Sequence, residues 1–273
     1  MTRYIFTIFF FLCWSTLSCP LASGNQPGGP FLDIIGIEGE VFLLNNEGIQ
    51  TYLTDEDNLK VGDMIGVAEY SFIDIAYEKS RDNVTRIRGR SLLLIRAVHP
   101  TSLYMEYGDL FARLNRLPEG APFEVMTPAS AVSVCGSVFR VTHRADRTTV
   151  YNFFSNAVYV YGLNEEGSVI SETPISLEKH DKTRIENFSL PKNPSPMTGG
   201  EMLQCQYLAV SVDQSAASVL AGAGIVKALK RNVSKTMRNS LDKIYRQTSR
   251  SPEPEHIAVR RPKIFFARPR CKK

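Results

Sequence analysis

Histidine is scarce in this 273-residue chain: only His99, His143, His180 and His256 occur. They lie far apart and form no HExxH or HxH spacing, so their arrangement marks no zinc site. No GxSxG elbow is present, which removes the usual signature of a serine hydrolase on an α/β fold. Ser176 to Lys179 and Ser240 to Lys243 fit Ser-x-x-Lys, but no companion motif follows either one. Asp55 to Asn58 is acidic but lacks the glycine and distal glutamate of a calcium loop. Gly222 and Gly224 follow no strand and complete no G-x-G-x-x-G phosphate cradle. With no acid–base pair, nucleophile or ligand set to nominate, the expectation is a non-enzyme with no cofactor and no metal.

Cysteine is sparse as well, with five in the chain, too few for a disulfide scaffold. Long apolar runs are missing except at the start. MTRYIFTIFFFLCWSTLSCPLASG has a basic first few residues, an apolar core and a small-residue exit, the pattern of a secretory leader. The core is short of the ~20 residues of a membrane span. Residues 1–24 therefore read as a signal peptide cut before Asn25, which places the chain in the periplasm or outside the cell. A second reading makes Cys19 a lipidated first residue, since Thr16 to Cys19 puts a small residue before the cysteine. Cleavage before Asn25 leaves Cys135, Cys205 and Cys271. Cys135, among strand-like neighbours, is expected to pack as a small apolar side chain, and a Cys205–Cys271 bridge is one available pairing.

The net charge of +4 hides a segregation. Residues 227–273 hold 15 Lys or Arg against 3 Asp or Glu, a local +12, which leaves 17 against 25, or −8, elsewhere. An acidic body with a basic end suggests two parts with different surroundings.

Along the body, short runs rich in Val, Ile, Tyr and Phe recur between turn signals: MIGVA, FIDIAY, SLLLIRAV, PFEVMT, TTVYNFF, AVYVYGL. Such spacing predicts an all-β sandwich, roll or solenoid. IIGIEGEVFLL, then NNEG, then IQTYLT reads as a hairpin closed by a glycine-containing loop. Leu190 to Gly200 concentrates proline and glycine and reads as a linker. Beyond it Val219, Ala223, Val226, Leu229 or Lys230, Val233, Met237, Leu241 and Ile244 recur at helical steps, with Lys227, Arg231, Lys235 and Arg238 largely off that stripe. The expected organisation is a β domain over 25–189, a linker over 190–200, an amphipathic basic helix over 201–248 and a disordered basic tail over 249–273.

The most informative stretch is FEVMTPASAVSVCGSVFRV, Phe123 to Val141. Thr127-Pro128 should stop a strand, because proline cannot donate to a ladder. From Ser130 to Val141 both faces are small or apolar, the mark of a strand covered on both sides. Gly136 then reads as a close approach or a bend, and Phe139 as core. This stretch resembles the signature of the FecR periplasmic domain family. The resemblance extends to Leu59 to Asp63, with Gly62 and Asp63 matching a strand entry, and to Leu103 to Leu110, with Gly108 at the family's glycine. It reaches TTVYNFFSNAVYVYG, which occupies the place of a hairpin, with Asn156 where a glycine is expected. It covers about residues 34–186, with Gly62, Asp63, Gly108, Thr127, Pro128, Gly136 and Phe139 as structural signature positions. Cys135 and Ser137 depart from the arginine and threonine common there.

The resemblance implies an all-β, roll- or solenoid-like domain in a bacterial envelope, and in the name-giving branch a relay to a sigma factor. A cleavable leader gives this chain no cytoplasmic part to hold such a factor, so the expectation is an exported module that binds an unidentified envelope protein for signalling or assembly. The alternative is a protein held to an anionic envelope polymer or to lipid head groups by its basic end, through Lys227, Lys230, Arg231, Lys235, Arg238, Arg260, Arg261 and Lys263, with Phe265 and Phe266 at the interface. The same cations would suit nucleic acid, but export makes that an unlikely partner.

Overall fold

The computed structural model describes residues 32–220, except 46–47, 78–80, 116, 118–120 and 155. Among these residues fifteen strands join in one hydrogen-bonded sheet that folds over on itself as an all-β roll, and one helix follows. The hinge is a long hairpin, β6 (Asn83–Val98) and β7 (Thr101–Leu114). Its register slips between Arg88 and Leu92. There Gly108 takes φ +138°, and a Cβ on it would stand 2.1 Å from Ser91 Oγ. A bulge at this point bends both strands together, so each half of the hairpin serves a different layer.

In the first layer, β1 (Asp33–Glu38) and β5 (Phe72–Ala76) lead to the first half of β6 and the second half of β7. β10 (Val138–Arg144), β11 (Arg147–Asn152), β14 (Asp181–Glu186) and β15 (Ser195–Pro196) continue it, all antiparallel. The second layer holds β2 (Val41–Leu44), with β3 (Gln50–Tyr52) on one side and β4 (Met64–Val67) on the other, then the other halves of β6 and β7. It goes on through β8 (Phe123–Met126), β9 (Ser130–Val134), β12 (Val158–Gly162) and β13 (Ile175–Leu177). β7 and β8 run parallel.

A single core lies between the layers. Ile75, Ile87 and Val141 come from the first layer, Ile65, Val132 and Val160 from the second. Phe123 joins them: its ring meets Tyr77 edge-on at 5.2 Å and Phe139 at 6.1 Å. Edge-to-face packing of this kind adds to the burial itself.

Three readings of the sequence need correction. Ser130 to Val141 is two strands, because the turn at Cys135–Ser137 carries the chain from one layer to the other. TTVYNFFSNAVYVYG is a crossover and no hairpin: β11 pairs β10 and β14, whereas β12 pairs β9 and β13. IIGIEGEVFLL likewise splits at Gly39, φ +80°, into β1 and β2 of opposite layers. The common cause is that a run apolar on both faces looks continuous in sequence even where the backbone turns a corner. The β2–β3 hairpin forms as read.

The helix α1 spans Gly199–Leu220. It starts at a capping box: Glu201 N–H donates to Thr198 Oγ1 at 3.3 Å, and Thr198 N–H donates to Glu201 Oε2 at 2.7 Å. Residues 190–200, read as a linker, carry β15 and the first turn of α1, with Met197 buried. The described helix contains Glu201 and Asp213 and no Lys or Arg, so the basic character expected of 201–248 does not belong to this part of it. Residues 221–248 and the tail over 249–273 lie outside the described residues. Among the described residues no helix is long and apolar enough to cross a membrane.

Candidate interaction surface

The outer face of the first layer carries buried charge. Asp109 is fully buried on β7 and accepts hydrogen bonds from Arg88 Nε at 2.7 Å and from Arg140 Nε and Nη2 at 2.7 and 2.8 Å. Burial opposes its charge, but the Arg140 and Arg88 guanidiniums outweigh burial and hold its carboxyl well below the usual range. Burial likewise opposes the charge on Arg140, and Asp109 more than restores it. Beside them Arg86 grips Asp74 in a bidentate pair, 2.6 Å for each bond, with its guanidinium 4.0 Å from the centre of the Phe72 ring.

These cations reach outward to α1. Arg86 donates to Ser211 Oγ and Ser215 Oγ, and Arg140 donates to Gln204 Oε1 at 3.0 Å. Arg113 pairs with Asp213 at 2.7 Å, and Lys182 with Glu201 at 2.7 Å. Between the polar contacts Cys205, Leu208, Val212 and Ala216, spaced at three and four residues, pack on Ile35, Val84, Phe111 and Val138. The helix is thus clamped along its length by strands β6, β7, β10 and β14.

Its other side is open and carries two large apolar side chains. Leu203 is 40% exposed and Val210 46%, and Gln206, Asp213 and Ala217 complete an exposed stripe at alternating three- and four-residue steps. A helix covered on one side, with Leu203 and Val210 exposed on the other, can dock a second element on the open side. A rigid base matters here, because a preordered surface loses less entropy on binding.

The signature positions serve the frame. Gly62, φ +96°, turns the chain into β4, its N–H bonded to Ile95 O at 2.8 Å, and Asp63 Oδ2 accepts from Lys60 N at 2.9 Å. Thr127 is fully buried, and its Oγ1 accepts from the N–H of Ser130 at 3.0 Å and contacts Thr148 Oγ1 at 2.8 Å. Thr148 Oγ1 in turn lies 2.8 Å from His143 Nδ1. Thr127, Pro128 and Ala129 form the turn between β8 and β9. Gly136, φ +133°, sits in the turn between β9 and β10, and Phe139 is fully buried. Asn156 Nδ2 donates to Gly136 O at 2.5 Å and stitches the crossover to that turn. Gly62, Asp63, Thr127 and Gly136 are therefore spread over separate turns and meet in no common pocket. Among the described residues no group of three or more His, Cys, Asp or Glu is placed to hold a metal.

Cys135 is disulfide-bonded rather than packed as a thiol. Cys205 is free and buried on the sheet-facing side of α1, which rules out its bridge to Cys271, and burial pushes its thiol up to about 11. Cys19, Lys227, Lys230, Arg231, Lys235, Arg238, Arg260, Arg261 and Lys263 lie outside the described residues. The exposed stripe on α1 escaped the sequence reading because its helix was phased on residues after Val219. Thr198 to Glu201, a four-residue capping box ahead of Leu203, was the available signal for the true start.

No family model matches the chain, and no curated protein matches it. Two solved structures of a "putative anti-sigma factor" from Parabacteroides distasonis are similar to it, each with a TM-score of 0.42 and 17% identity over 53% of this chain. The match spans 64% and 63% of those chains, less than two thirds of their length. At that score the likeness carries no argument about what this chain binds.

Proposed function

We propose that the chain is an exported, non-catalytic module that captures a protein partner in the cell envelope, in the periplasm or outside the cell, for a signalling or scaffold role. The observation that carries this reading is the open stripe of α1, Leu203 and Val210 exposed on a helix whose opposite side is clamped to the sheet by ion pairs and a hydrogen bond. Three buried titratable groups serve the frame: Asp109 and Asp74 in ion pairs, His143 with Thr148. The leader-like first 24 residues support export.

The test is in-cell crosslinking and pull-down with three chains: the full protein, the protein ended after Val226, and Leu203→Asp/Val210→Asp. The reading expects the first two to capture the same protein and the double variant to lose it. Loss on truncation alone, with capture that fades steeply between low and moderate salt, would instead favour the basic end as an anchor on anionic polymer or lipid. Charges in that segment are screened within ~10 Å at 0.1 M salt.

A further inference from the structure

The outer face of the second layer has no helix on it among the described residues, since α1 packs on Ile35, Val84, Phe111 and Val138 of the first layer. Side chains that alternate with the core positions point out from this face. One cross-strand row crosses seven strands in unbroken register, from Leu44 on β2 through Met64, Leu94, Tyr104 and Met126 to Tyr161 on β12. At about 4.8 Å per strand, it makes an apolar strip roughly 30 Å long. Leu163 and Val169 pack over its Tyr161 end, while Leu44, Met64 and Leu94 stay half-exposed. Beside them Phe42 lies over Gly66, where a Cβ would stand 2.1 Å from Phe42 Cε2, so the ring rests on bare backbone and widens the strip.

Two buried side-chain oxygens on this face have no partner among the described residues. Ser133 is 5% exposed, and its Oγ makes no hydrogen bond. It stands between Glu124 on β8 and Tyr159 on β12, its direct neighbours across the two ladders. Glu106, two residues beyond Tyr104 on β7, accepts a hydrogen bond from the Tyr104 hydroxyl but keeps Oε2 buried and unpaired. Burial outweighs that bond and pushes the Glu106 carboxyl up. Orphans of this kind are rare in native proteins because each one costs stability. The face also sets Glu106 and Glu124 against Arg96, whose Nη1 donates to Met126 Sδ, so an anionic ligand would meet two carboxylates and one guanidinium.

We propose that this face binds a neutral saccharide chain, which lies along the apolar strip and donates hydroxyl hydrogens to Glu106 Oε2 and Ser133 Oγ. An apolar floor with a few fixed polar groups is the usual make-up of a ligand site. A sugar ring suits it, because its C–H groups form an apolar face while its hydroxyls donate at the edges. The N–H groups of a docked protein helix are already spent within that helix and would leave both orphans unpaired. Ser133 lies two strands across and four residues along from Glu106, on the order of 16 Å, so the ligand is a chain of several rings. The site is separate from the open stripe of α1.

The test titrates the purified chain by calorimetry with cellohexaose, maltohexaose, chitohexaose and, as a charged control, hexagalacturonate. At least one neutral probe should bind saturably, and hexagalacturonate should not. Glu106→Gln should weaken that binding about tenfold, through loss of a hydrogen bond to a charged acceptor. Ser133→Ala should weaken it by a similar factor while keeping or raising the urea midpoint, because it deletes an unpaired hydroxyl. A serine that served only the frame would lower the midpoint and leave affinity unchanged. Leu203→Asp/Val210→Asp should bind the probe like the unsubstituted chain, which keeps this result apart from protein capture through α1. The proposal is overturned if no neutral probe binds at millimolar concentration, if hexagalacturonate binds best, or if Glu106→Gln and Ser133→Ala bind as tightly as the unsubstituted chain. Loss of protein capture in those two variants, with no saccharide bound, would give the face to a protein instead.

Discussion

Asp109 and His143 set two separate acid limits on the fold. His143 is buried and neutral, and burial lowers its value to about 4, against a smaller opposing pull from Asp146. Because the folded value lies below the unfolded one, near 6.5, the unfolded chain binds more protons between pH 6.5 and 4. Stability is therefore full above pH 6.5 and falls as pH drops through that window, by roughly 3 kcal/mol in total. Asp109, held below the usual carboxylate range, acts lower: its contribution is present above the unfolded value of about 3.9 and is lost as pH falls further. Urea unfolding of His143→Gln should show a flatter pH dependence between 6.5 and 4 than the unsubstituted chain; equal slopes would sink that assignment. Asp109→Asn leaves Arg88 and Arg140 buried without their counterion, so it should cost about 3–5 kcal/mol at pH 7, a deficit that narrows below pH 4. None of this could be read from the sequence. Arg140 and Asp109 are far apart in the chain, and an arginine on a strand is equally compatible with a solvated face.

At the scale of elements, the bend in β6–β7 makes the two layers. Gly62 and Gly108 both have positive φ, but a Cβ on Gly62 would meet nothing within 4 Å, whereas one on Gly108 would run into Ser91. Gly62→Ala should cost about 1–2 kcal/mol of backbone strain, and Gly108→Ala clearly more, read as a larger drop in the urea midpoint. Equal losses would mean that the bulge tolerates a side chain. The capping box gives a second prediction for α1. Thr198→Ala should weaken the helix start by about 1 kcal/mol, and α1 amides should exchange hydrogen faster while β-strand amides do not change. Uniform acceleration across the sheet would show that the helix unfolds only with the whole body. The short strands were legible element by element, since Val- and Ile-rich runs between turn signals survive any pairing. Their partners were not: the turn at Gly136 and the crossover through Asn156 are corners where both flanks are equally apolar.

For the whole molecule, one face of the roll is closed by α1 and the helix offers its far side outward. The sequence pattern pointed to an all-β body followed by a helix, and both are present. It did not locate the open stripe, because Leu203 and Val210 look like core residues until Cys205, Leu208 and Val212 are seen to take the sheet. The charge segregation was legible by counting. The most direct test of the account is site-specific photocrosslinking in the native host, with the probe at Val210 on α1 and, as comparison, at Tyr52 on β3, a strand that is exposed but short. The account predicts one defined protein adduct at Val210 and none of the same mass at Tyr52. An adduct at Tyr52 alone, or none at Val210 while the intact protein still captures its partner, would contradict it.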